Sequence, residues 1–230
     1  MALLATQQAL KALTSFQIAW SLDESATRQE NIARAQGFRR TTASVFPAQV
    51  LADNAELDTH TLKQTHTRLY KRLNAAFDQL AAPTSASRLS VGARALCKHY
   101  ERQSTFFTNI NDNNSPPKEK RERGVNNNFV HPFWTKPSGN EDAKNAIART
   151  HLIHLLDLMQ TRDPELCWMN IHQIHPNDTT IIELRNMKTL HGMRWTILFD
   201  NERDKTVEDN ESAIDINSDY KIEFRGFLEP

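Results

Sequence analysis

Histidine is the residue type whose spacing most invites chemistry. His151-Leu152-Ile153-His154 and His172-Gln173-Ile174-His175 each set two imidazoles three residues apart. On a helix such a pair stands on neighbouring turns of one face, where two ring nitrogens can share a zinc ion with a later histidine or carboxylate. His191 and Asp178 are the residues that would complete the set. Against a metal stand the lack of any HExxH, the strand-or-turn context of the second pair, and nine histidines in 230 residues, which make chance pairs common. Zinc is thus the one cofactor the sequence raises, and the expectation is that none is needed.

Nucleophilic catalysis finds less support. Cys97 lies two residues from His99 and Cys167 five from His172, but a thiol and its base usually meet from separate elements, so nearness in sequence says little. Buried structural cysteine is the plain reading. The chain contains no GxxxxGK[ST], GxGxxG or GxSxG, and six glycines leave little material for a phosphate-cradling loop.

Two stretches could serve recognition instead. Phe129-Val130-His131-Pro132-Phe133-Trp134 is an aromatic run in a proline-punctuated loop, with Phe133 and Trp134 as anchors for a protein partner, or else as a plug inside the same chain. Further on, Glu183, Arg185, Arg194, Lys221, Glu223 and Arg225 alternate in sign along one phase of three extended segments. Cross-strand ion pairs explain that pattern simply. Were Arg185, Arg194 and Arg225 unpaired, they would form a platform for an acidic peptide or a nucleic-acid backbone. Aromatics that would stack bases, Trp195, Tyr220 and Phe224, fall in the opposite phase.

These segments belong to the stretch 180–229, where a two-residue period is clearest. In Ile181-Ile182-Glu183-Leu184-Arg185, Met193 to Phe199, and Tyr220 to Arg225, apolar and mainly polar side chains alternate, which in extended chain sends them to opposite faces. The expected result is an antiparallel meander with one face buried and the charged face wet, joined by a further strand at Cys167 to His172. Gly226 to Pro230 would be a tail docking on the chain itself or on a partner.

Upstream, the period becomes helical. Leu3, Leu10, Leu13 and Trp20 predict a first helix, and Ser21-Leu22-Asp23-Glu24 has the form of a capping box opening a second to about Ala35. Asp58 or Thr59 is placed to cap a long helix to Ala82, stopped by Pro83. Another spans about Leu89 to Phe107. Ser138-Gly139-Asn140-Glu141 again has capping-box form, ahead of an amphipathic helix to Met159 that is suited to cover the meander.

Between the halves, residues 109–128 combine asparagines, tandem prolines and a mixed charge run, a composition that cannot bury enough surface to order itself. The expected organisation is a helical region over 1–108, a flexible linker over 109–128, and an α+β region over 129–230. The overall fold class is α+β: an N-terminal helical bundle or layer, then an antiparallel β-meander covered by one amphipathic helix.

Composition narrows function by exclusion. Twenty-eight basic residues against 28 acidic ones give no net charge, so no long-range field gathers nucleic acid or anionic membrane. Two distant cysteines outside any CxxC argue for a reducing compartment, cytoplasm or nucleus. No apolar run reaches the ~18 residues of a membrane span, and Met1 to Gln8 lacks the basic start of a signal peptide. A non-catalytic protein-interaction or assembly role is the first expectation. A nucleic-acid-associated protein using the arginine-bearing sheet face comes second, and a metal-dependent HxxH enzyme third.

Overall fold

The structure, a computed structural model, describes residues 14, 16–37, 58–81, 86–110, 130–174, 179–199 and 220–230. Helices α1 (residues 16–21), α2 (Arg28–Gly37), α3 (Thr59–Asp78), α4 (Val91–Ile110) and α5 (Glu141–Gln160) precede strands β1 (Cys167–Ile174), β2 (Thr179–Asn186), β3 (Gly192–Phe199) and β4 (Tyr220–Leu228). The strands form one antiparallel sheet in the order β1-β2-β3-β4, a meander. The fold class is therefore α+β, as the two periodicities predict. Of the expected linker, Asn109 and Ile110 are the last residues of α4, and 111–128 lie outside the described residues.

The chain divides into two compact units, Met1–Ala76 with His154–Pro230, and Phe77–Ile153.

In the first unit, α1 and α2 are tied by polar groups as well as by apolar packing. Ile18, Ala19, Leu22, Ala35 and Leu62 form one buried cluster. Beside it Gln17 Nε2 donates to Ala35 O at 3.0 Å, and Ser21 Oγ lies 3.0 Å from Ile18 O and 3.1 Å from Asn31 O. Ser21 is thus the last residue of α1 and does not open α2. The capping box sits six residues later: Thr27 N donates to Glu30 Oε2 at 2.7 Å, and Glu30 N returns a bond to Thr27 Oγ1 at 3.3 Å. Both tetrads carry the same pattern, and the buried bonds of Ser21 and Asn31 decide between them.

Asp58 caps α3 as expected, accepting from Thr61 N at 2.8 Å. Replacing it with alanine should cost about 1 kcal/mol of stability, the usual value for an N-cap, read as a lower urea midpoint with an unchanged slope. On the same helix, Leu62, Leu69 and Leu73 are buried. Arg72 lays its guanidinium over the Tyr220 ring, 3.9 Å from the centroid, and donates to Tyr220 O. Phe16 of α1 meets the same ring edge-on at 5.0 Å.

Register fixes the sheet's first face. Met169, Leu184 and Met193 stand in one row, and Ile171, Ile182, Trp195 and Phe224 in the next. All are buried, Trp195 fully and Phe224 to 7% exposure, so the aromatic side is hidden as the alternation predicts. The C-terminal residues form no separate tail: Phe227 and Leu228 pair with Met193 and Gly192 as the end of β4.

The second unit is built around a strap. Leu80 and Ser90 bridge antiparallel, with Ala81 N to Leu89 O at 2.9 Å and Val91 N to Gln79 O at 2.7 Å. Ser90 then caps α4 through Ala93 N at 3.1 Å. Asn140, and not Ser138, caps α5, accepting from Ala143 N at 2.9 Å. Glu141 is released from the expected box and accepts instead from Ser87 Oγ at 2.6 Å and Arg88 N at 2.9 Å.

Candidate functional site: the second face of the sheet

The second face carries Trp168, Asn170 and His172 of β1, Ile181, Glu183 and Arg185 of β2, Arg194, Thr196 and Leu198 of β3, and Lys221, Glu223 and Gly226 of β4. Alternation predicts Glu183, Arg185, Arg194, Thr196, Lys221 and Glu223 here, but it also predicts Arg225 where the register places Gly226. It does not predict the burial. Instead of lying wet, Asn170, Ile181 and Thr196 are 1–2% exposed, and the side chains of Glu183 and Arg185 only 14% and 13%. The physical reason is visible in the phase itself: Trp168, Ile181 and Leu198 are apolar residues in polar positions, so this face is too mixed to favour full hydration.

Register sets the neighbours. Asn170, Glu183, Arg194 and Gly226 form one row, and His172, Ile181, Thr196 and Glu223 the next. Asn170 Nδ2 meets His172 Nδ1 at 3.1 Å. With the amide as donor, the imidazole is neutral and carries its proton on Nε2. Burial pushes the His172 pKa below its ordinary value, Glu183 pulls the other way, and Arg194 adds to the depression. Lys221 Nζ pairs with Glu223 at 2.6 Å.

Among the described residues, Asn170 Oδ1, Arg194 Nε and Thr196 Oγ1 on this face are buried without a hydrogen-bond partner. A buried polar atom left unmatched costs roughly 1–3 kcal/mol. Having several on one face of one sheet, on β1 and β3, marks a place where hydrogen-bonding capacity is unused among the described residues.

A β-bulge lies at the centre. Between Arg194 and Trp195 the register jumps from Gly226 to Phe224, leaving Arg225 as the extra, exposed residue. Gly226 has φ +139°, a conformation side chains rarely adopt, and a Cβ added there would meet nothing within 4 Å. Among the described residues, the space that a side chain at Gly226 would take is open.

The other residues singled out by sequence fall as follows. Arg185 donates through Nη1 to Leu190 O and Glu229 O, both at 2.7 Å. It ties the β2–β3 turn to the end of β4. In the second unit Trp134 is buried and Phe133 half-buried, packed edge-on with centroids 4.5 Å apart. His131 Nδ1 accepts from both Phe133 N at 3.1 Å and Trp134 N at 2.9 Å, which fixes the turn. His151 sits against Trp134, 5.1 Å between centroids, and its Nε2 accepts from Thr135 N at 2.9 Å. His154 is exposed on α5, His172 lies in the sheet face above, and His175 is outside the described residues. Among the described residues, His151, His154 and His172 do not join two further potential ligands within metal-binding reach. Burial pushes the Cys167 thiol up to about 12 and raises that of Cys97, so neither is poised as a thiolate at neutral pH.

Sequence reading puts Thr196 on this face, in phase with Arg194, but singles out neither Thr196 nor Asn170 as a site residue, and these are the two most buried polar members of the site. The signal for Asn170 is the extended Cys167 to His172 stretch, whose alternation puts it in phase with Trp168 and His172. No family model matches the chain, and no curated protein or solved structure is significantly similar to it. Among the described residues, no helix is long and apolar enough to cross a membrane.

Proposed function

We propose that this chain is a non-catalytic recognition protein that receives a polar segment of a protein partner on the second face of its sheet. The observation that carries this reading is that, among the described residues, Asn170 Oδ1 on β1 and Arg194 Nε and Thr196 Oγ1 on β3 are buried and unmatched on one face of the sheet. A partner supplying the missing hydrogen bonds gains both the contacts and the relief of the desolvation cost. Both cysteine thiols are raised, and His172 is engaged by Asn170, which supports binding over nucleophilic chemistry. Nucleic-acid backbone binding draws less support, because two donor bonds of Arg185 go to main-chain carbonyls. The zinc reading rests on histidine spacing alone.

The test is quantitative affinity capture with the tagged full chain. Arg194→Ala is expected to weaken retention of its partner proteins at least tenfold, about 1.4 kcal/mol or more at a buried arginine contact. Lys98→Ala, at an exposed position of α4, should retain them. Equal retention by the Arg194 variant and wild type contradicts the reading.

A further inference from the structure

We draw no further inference here: the strongest candidate, the side-chain cluster of His99, His131 and His151 around Trp134 in the second unit, has His131 Nδ1 and His151 Nε2 accepting from the backbone amides of Phe133, Trp134 and Thr135, and nothing in the structure shows a ligand or partner that it would meet.

Discussion

Gly192→Ala is expected to destabilise the sheet by about 3 kcal/mol, the upper end of ordinary overpacking costs. Gly192 is buried at the start of β3, across from Arg185 of β2 and Leu228 of β4. A Cβ built there would lie well inside contact distance of the Leu184 carbonyl oxygen and 2.8 Å from Arg185 Cγ. The carbonyl belongs to the ladder and cannot rotate away as a flexible side chain would, so β2 and β3 must separate where they first pair. Arg185, which ties the β2–β3 turn to Glu229 O, would lose its geometry in the same movement. Urea unfolding measures the loss. A shift of the midpoint equivalent to less than about 1 kcal/mol would mean that the strands are not held this closely. Gly226→Ala differs, since the space there is open and only the φ of +139° penalises the change, worth about 1–3 kcal/mol.

The second large effect is a loss of stability on acidification that traces to one side chain. His66 of α3 packs edge-on against Trp20, with ring centroids 5.9 Å apart. Burial, with the nearby Arg162 charge adding to it, lowers its pKa from 6.5 to about 4. Above pH 6.5 the imidazole is neutral in both folded and unfolded chain, and stability is at its full value. As pH falls from 6.5 towards 4, the unfolded chain binds a proton that the folded chain refuses, and the unfolded state gains. The accumulated cost by pH 4 is about 3 kcal/mol. The fair measure is the difference between wild type and His66→Phe, because carboxylates titrating in the same region contribute to both. Between pH 7 and pH 4.5 wild type should lose about 2 kcal/mol more than the variant. Parallel pH profiles would show that His66 takes up protons freely in the folded protein.

How far the fold could be read from sequence depends on which physical signal is asked for. Strand alternation is strong and local: it placed Trp195 and Phe224 on the buried side and Glu183 and Arg194 together on the other. Helix starts were less legible, because Ser21-x-x-Glu24 and Thr27-x-x-Glu30 are equal in pattern. Only the buried bonds from Ser21 to the ends of α1 and α2 separate them. The same holds at α5, where Glu141 has a partner in Ser87, 54 positions away, which no local rule anticipates. The first compact unit joins residues from both ends of the chain and the second is the stretch Phe77–Ile153 between them, and composition along the chain carries no trace of that arrangement.

The candidate site was half visible. Arg185 and Arg194 stood out by charge, yet the structure gives them different work: Arg185 clamps main-chain carbonyls, and Arg194 leaves a donor unmatched. That Asn170 and Thr196 carry unmatched atoms is not legible in sequence, because an unmatched atom is a property of three-dimensional surroundings. The bulge that exposes Arg225 and opens the space at Gly226 depends on register, which alternation alone does not fix across a long connection.

The central claim is that this face withholds hydrogen-bonding capacity in the free protein. Thr196→Val tests it most directly, since it replaces the hydroxyl by a methyl of similar volume at a position 2% exposed. If Oγ1 is unmatched, urea unfolding of the partner-free variant should show equal or greater stability, by up to about 1 kcal/mol, because a buried polar group without a partner has been removed. A loss of about 1 kcal/mol or more would show that the hydroxyl is already satisfied within the protein, and would contradict the account.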